Sequence, residues 1–465
     1  MLTLLGANQS TDCSRQTRRS FLQAGSLALG GLSLPWLLQQ KATAAEAGTS
    51  YVRDKSIVMV FLSGGASHIE TFNPNMNSPA PFCSVTGEVK TSIPGLTLGG
   101  TFPMTARSAN HATLVRSFTH PIGGHVQAIR HVLSGGTDGR GEVKEGYGMG
   151  AIYSRIRGTN HEQTGIPTNV LLTGPEVDGQ YRSERGRMQR GSSPGSLGPG
   201  CSPFEPNGKG PAVDNMQLSL PPARFSDRRH LLQQVDRLKR NLDQMRELAG
   251  HDRFTDQAAE LLLNGASEAF DLSRESPHVR ERYDTSQFRI GKKVFRNADI
   301  GTQFLTARRL LEAGCGFVTV HSAGWDMHAD GNNPGISTGL EMLGRPLDKG
   351  LSAFLEDLNQ RGMLDDVLVI VTGDFGRTPK INNRGGRDHW TRLCTLAFFG
   401  GGVGNGRVVG ASDRTNSEPD GTAFRSEDLR ATVGHTLFDI GLLRLDPAVP
   451  GELSTLLQAG TPIVA

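Results

Sequence analysis

Three things are scarce in this chain of 465 residues: cysteine, excess charge of one sign, and long apolar runs. Five cysteines are too few for a small scaffold held together by disulfides. The length leaves room for a large core, in one large domain or two ordinary ones. No stretch approaches the ~18 consecutive apolar residues of a membrane-spanning helix, so no permanent span is expected. The net charge of +3 belongs to residues 1–44, where Arg15, Arg18, Arg19 and Lys41 stand against the single acid Asp12. The remainder carries 45 bases and 45 acids, a balance that gives no electrostatic case for nucleic acid. A composition of 36% hydrophobic and 20% charged residues excludes a disordered chain. Glycine is abundant, with 59 residues, so many tight turns are expected.

The N-terminal segment has the layout of an export signal. A basic stretch ends in Thr17-Arg18-Arg19-Ser20-Phe21-Leu22, an apolar stretch runs from Ala24 to Leu34, and Ala42-Thr43-Ala44 offers a small-x-small cleavage site. The arginine pair resembles a twin-arginine signal. Residues 1–44 are therefore expected to direct export by the twin-arginine machinery and to be removed at that cleavage site. Residues 45–465 would remain as a single periplasmic or secreted domain. Cys13 leaves with the signal. Cys315 and Cys394 lie in apolar strand-like runs and read as buried thiols. Cys83 and Cys201 lie in loop-like sequence, which makes them the pair to expect if a disulfide forms.

Short apolar runs recur at Ile57–Leu62, Thr113–Val115, Asn169–Leu172, Phe317–Val320, Val367–Val371 and Thr395–Phe399. They are continuous rather than alternating, as in parallel strands buried on both faces. Helical patterns precede two of them, over Ala307–Glu312 and Leu340–Arg361, the second closed by Gly362. This alternation predicts an α/β fold: a central, mostly parallel sheet flanked by helices. Residues 176–225, rich in Gly, Ser, Pro and Arg, read as a long loop. A helix should follow, capped by Ser226 and striped by Leu231, Val235, Leu238, Leu242 and Met245. Residues 176–300 thus form a predicted loop and helical insertion.

Ligands of open α/β sheets gather at the carboxyl ends of strands. Ser67 and Glu70 follow the first run, and Thr119, His120 and His125 follow the second. Asp326 and His328 follow the Phe317 run, Asp374 and Arg377 follow the Val367 run, and Arg387 and His389 come soon after. Asp326 and His328, two residues apart, share a side if extended. With Asp374 and His389 they make a mixed oxygen and nitrogen set suited to a divalent metal such as Zn²⁺, Mn²⁺ or Fe. Arg377 and Arg387 would neutralise an anionic substrate. A lone Asp after a strand more often caps a turn, and His321, inside its strand, reads as a core residue. The convergence of several polar clusters at equivalent positions favours a site.

Four segments carry a resemblance. They are Gly64-Gly65-Ala66-Ser67-His68-Ile69-Glu70-Thr71-Phe72-Asn73-Pro74, Gly324-Trp325-Asp326-Met327-His328, Gly373-Asp374-Phe375-Gly376-Arg377-Thr378-Pro379 and Gly386-Arg387-Asp388-His389-Trp390. Together they resemble the DUF1501 family of twin-arginine-exported proteins. The resemblance implies an alkaline phosphatase/sulfatase-like fold, which hydrolyses phosphate and sulfate esters with divalent metal and a Ser, Thr or modified Cys nucleophile. Asp326 and His328 resemble that superfamily's Asp…His pair, Asp374 its next Asp, and His389 its final His. Phe375 stands where the superfamily has a second His, and Ser63 stands where its first strand ends in Asp, which leaves Glu70 as the first-strand carboxylate. The sulfatase motif is absent, since Cys201-Ser202-Pro203-Phe204-Glu205 ends in Glu where Arg belongs. Ser67 and Thr119 both remain candidate nucleophiles, with His125 or Arg377 steadying the anion. The resemblance thus implies a hydrolase of anionic small-molecule or polysaccharide esters using Zn, Mn, Fe or Ca. The alternative is a non-catalytic binding or surface-associated protein that retains the fold.

Overall fold

The computed structural model describes residues 50–137, 146–174, 179–206, 267–288, 299–403 and 406–464. The export signal and the Leu-rich helix lie outside the described residues. Seven strands form the main sheet: β1 (Ser56–Leu62), β2 (Ala112–Val115), β3 (Asn169–Leu172), β4 (Phe317–Ser322), β5 (Val367–Gly373), β6 (Leu396–Gly400) and β7 (Arg407–Val409). Their order is β7-β2-β6-β5-β1-β4-β3. β1 lies inside the sheet and pairs in parallel with β4 and β5, Val60 opposite both Val320 and Val371. The expected α/β architecture is present.

One strand differs from the parallel expectation. β6 runs antiparallel to both β5 and β2. Between β5 and β6 the described chain has no crossover helix, only a two-stranded hairpin pairing Gly376–Arg377 with His389–Trp390. Without a crossover, the chain re-enters the sheet from the end it left, and that makes β6 antiparallel.

The described helices include α1 (His125–Leu133), α2 (Met149–Arg157), α3 (Gly179–Gly191), α4 (Ile300–Glu312), α5 (Arg345–Gln360), α6 (Ser426–Leu437) and α7 (Gly451–Gln458). The continuous apolar runs serve two cores. Val58, Val60 and Leu62 pack with Phe304, Leu310, Leu351 and Phe354 of α4 and α5. The alternate residues Ile57, Met59 and Phe61 pack with Ile129, Ile152, Leu429 and Leu453 of α1, α2, α6 and α7. Helix α5 ends at Arg361 and Gly362, whose φ of +70° suits glycine.

Two expectations fall here. Residues 179–191 form helix α3 rather than loop. Their Gln, Arg, Glu and Met favour a helix, and tertiary packing completes it: Met188 is buried, and Gly191 lets Ile129 and Leu133 of α1 approach. Cys83 and Cys201 form no disulfide with each other, and Cys315 and Cys394 form none either.

Candidate metal centre

The β1 turn and the segment after β4 come together because residue 64 lacks a side chain. Gly64 has φ +105°, and a Cβ there would lie 2.6 Å from the Asp326 nitrogen. Trp325 N donates to Ser63 O at 3.0 Å and so ties the Asp326 segment to the end of β1. Asp374, just past β5, is fully buried. Its Oδ2 accepts from Gly64 N at 3.1 Å and lies 2.7 Å from His125 Nδ1. His125 opens α1, and His389 stands in the hairpin opposite Arg377.

His125 Nε2 lies 3.4 Å from Asp326 Oδ2, and His389 Nε2 lies 3.4 Å from Asp326 Oδ1. Each of the three residues offers one ligand atom, and these atoms all lie within 4.8 Å of one another. The far side of each ring meets an acceptor. His125 Nδ1 faces the Asp374 carboxylate, and His389 Nδ1 faces Gly123 O at 3.0 Å. Those acceptors assign the proton to Nδ1 in the neutral rings and leave both Nε2 lone pairs converging on Asp326. This is how proteins hold metal-binding imidazoles. The other Asp374 oxygen, Oδ1, is buried without a hydrogen-bond partner, as an anion awaiting a cation would be.

Asp326 is also braced by Arg377 Nη2 at 2.6 Å and approached by His328 Nε2 at 2.9 Å. Burial works to raise its carboxyl, but His125, His328, His389 and Arg377 together hold it well below the usual range. Burial works against a proton on His125, but Asp326 and Asp374 outweigh it and raise the ring to about 9. A proton there occupies the place a metal cation would take.

The expected site is thus partly assembled and partly reassigned. Asp326 and His389 meet as ligand candidates. His125, expected to steady an anion, joins them as the third. Asp374 orients His125, while His328 is held between Asp326 and Asp388, its Nδ1 lying 2.9 Å from Asp388 Oδ1. Glu70 stands apart: it is fully buried, paired with Arg387 at 2.7 Å, and accepts a hydrogen bond from Ser67 Oγ. Arg387 is spent on that pair and on the carbonyls of Thr378 and Cys83, so it is no open anion clamp. Arg377 is likewise fully buried, donating to Gly65 O and Arg387 O as well as to Asp326. The Thr119 hydroxyl donates to Thr391 O at 3.1 Å. No contact among the described residues brings either candidate nucleophile to the cluster. Phe375 packs against the cluster, its ring centroid 4.9 Å from that of His125 and 4.4 Å from that of His389.

A cavity of about 130 Å³ opens beside the cluster, lined by Gly64, His125, Ser183, Glu184, Arg187 and Asp326. Helix α3 forms one wall. Glu184 bears no motif in the sequence; the one hint is an acid among arginines in Arg182-Ser183-Glu184-Arg185-Gly186-Arg187. A wider groove of about 600 Å³ beside α5 is lined by His278, Arg282 and Glu356 and includes none of the cluster residues.

The family described as "Protein of unknown function (DUF1501)" matches residues 54–441. The chain belongs to this family. No curated protein matches it. Similar solved structures include a sulfatase from Pseudoalteromonas sp., 12% identical, covering 92% of this chain and 76% of that one with a TM-score of 0.38. A phosphonate monoester hydrolase from Silicibacter pomeroyi is 10% identical, covering 82% and 73% with a TM-score of 0.34. The soluble domain of a lipooligosaccharide phosphoethanolamine transferase from Neisseria meningitidis is 10% identical, covering 89% and 96% with a TM-score of 0.33.

Proposed function

We propose that this protein is an exported, metal-dependent hydrolase of phosphate or sulfate esters, acting on an anionic small-molecule or polysaccharide ester. One observation carries the reading: His125 and His389 are each held at Nδ1 while their Nε2 atoms converge on Asp326. Two imidazoles and a carboxylate fit Zn²⁺, Mn²⁺ or Fe. They fit Ca²⁺ poorly, since that ion takes six to eight oxygens.

A bound ion would supply Lewis acidity, polarising an ester oxygen and lowering the pKa of a bound water. The chain's own groups do the positioning. Asp374 fixes the His125 tautomer, Gly123 O fixes that of His389, and Arg377 aims the Asp326 carboxylate. Arg187 brings a positive charge to the wall of the cavity, where an anionic ester group would sit.

The test is metal analysis of the purified protein alongside assays on aryl phosphates and aryl sulfates. One metal equivalent is expected in the wild type, lost in Asp326→Ala and His389→Ala together with activity. Full metal retention in both variants would overturn the reading. The position of Ser67 and Thr119 favours a second reading, a metal-bearing protein that binds anionic esters without turnover. Tight binding of inorganic phosphate or sulfate with no hydrolysis of any ester would select it.

A further inference from the structure

Glu184 is the one carboxylate on the cavity wall that neither binds within the His125, Asp326 and His389 cluster nor braces it. It projects from α3, three residues before Arg187, so the two share a helix face. The residue is 5% exposed. Among the described residues its hydrogen bonds fall on one oxygen: Ser63 Oγ donates to Oε2 at 2.6 Å, and Gly324 N donates to Oε2 at 3.1 Å. Among the described residues Oε1 accepts none, so the second oxygen is left for whatever enters the cavity. The charged groups around it are Asp374 past β5, His125 at the start of α1, Asp326 past β4, and Arg187 on its own helix. Burial and the nearby Asp374 push the carboxyl up to about 7, against the opposing pull of Ser63, Gly324 and Arg187. That is where a group serving as both acid and base at neutral pH works best.

We propose that Glu184 is the acid–base residue of this site, giving its proton to the bridging oxygen of an ester whose anionic group faces Arg187. The proposal rests on the hydrolase reading above. The bond from phosphorus or sulfur to the bridging oxygen breaks as that oxygen takes the Glu184 proton, and the alcohol leaves. Water supplies the oxygen that forms the new bond, and the proton it loses returns to the Glu184 carboxylate.

The experiment is a leaving-group series: aryl monoesters of phosphate and of sulfate, from 4-nitrophenyl to unsubstituted phenyl, with the wild type, Glu184→Gln and Ser63→Ala. The amide of Glu184→Gln keeps an acceptor for Ser63 and Gly324 but has no transferable proton. Its kcat should fall by less than about tenfold with the 4-nitrophenyl ester and by about 10²- to 10⁴-fold with the phenyl ester. Metal content should not change. Wild-type kcat on the phenyl ester should fall as pH rises through about 7, and Glu184→Gln should lack that limb. Ser63→Ala removes a donor that favours the carboxylate, so it should move the limb to higher pH. An equal loss across the series in Glu184→Gln, or an unmoved limb in Ser63→Ala, overturns the role of Glu184 and leaves the hydrolase reading standing. A wild type inactive on every ester overturns both.

Discussion

Replacing Asp374 with Asn asks whether His125 is held for a metal. Asp374 Oδ2 is shared by Gly64 N at 3.1 Å and His125 Nδ1 at 2.7 Å. Asn keeps the shape and one acceptor but loses the charge, and a charge-assisted hydrogen bond is about twice as strong as a neutral one. Loss of such an outer partner lowers metal affinity by about 10- to 100-fold, which is about 1.4–2.7 kcal/mol. A second effect opposes it. Asp374 helps raise His125 to about 9, so at pH 7 an incoming metal must displace a proton. Asp374→Asn relieves that competition. The deficit should therefore be small at pH 7 and reach its full size above pH 9, where the wild-type ring is already neutral. Zn²⁺ affinity measured by competition with a chromophoric chelator at both pH values reads this directly, with circular dichroism to verify the fold. The two losses should also overlap: once His125→Ala has removed the ring, Asp374→Asn should add almost nothing. A folded variant with no deficit above pH 9, or full additivity with His125→Ala, would refute the reasoning.

Glu70→Gln should leave Arg387 buried beside a neutral partner, at a cost of about 3–5 kcal/mol in stability by chemical denaturation. The same variant should keep its metal, and a stable Glu70→Gln protein stripped of metal would return Glu70 to the ligand set. His328→Ala should also retain stoichiometric metal, because His328 lies outside the convergent triad; loss of the ion on dialysis would contradict this. Burial holds His68 down to about 4 and His120, next to His131, down to about 3. Below about pH 6.5 the unfolded chain takes up protons that these folded rings refuse, so their contribution is full above that pH and declines as pH falls towards 4. Urea midpoints from pH 7.5 to 4.5 should fall steadily below 6.5, and a flat profile would count against neutral buried rings.

The sheet was legible where one physical cause acted alone. The runs forming β1, β4 and β5 are continuous and, Thr319 apart, apolar because both faces of these strands are covered. The direction of β6 was not legible, since Leu396, Ala397, Phe398 and Phe399 are buried whichever way the strand runs. Its direction follows from the connection instead. Helix α3 was hidden because it lies within a longer stretch rich in Gly, Ser, Pro and Arg and its support comes from α1. The same split holds at the site. Asp326 and His389 stand in recognisable strand-end clusters. The role of His125 depends on Asp374 and Asp326, which lie far from it in sequence. Glu70 and Ser67 looked like site residues because they follow β1, yet the turn there directs Glu70 to Arg387 and Ser67 to Glu70.

No disulfide joins the described cysteines, so no covalent bond among them closes the long loops of this chain. The triad is placed to do so. Asp326 and His389 are 63 residues apart, and His125 stands 201 positions before Asp326. Closing flexible loops of those lengths takes roughly 4 and roughly 5 kcal/mol of chain entropy, before the constant term. An ion gripping His125, Asp326 and His389 would fasten three distant stretches at one point, as a cross-link does. It would bind the folded chain far better than the unfolded one, so its loss would loosen the strand ends as well as emptying a site. In a protein without disulfides among its described residues, the candidate metal would be the staple.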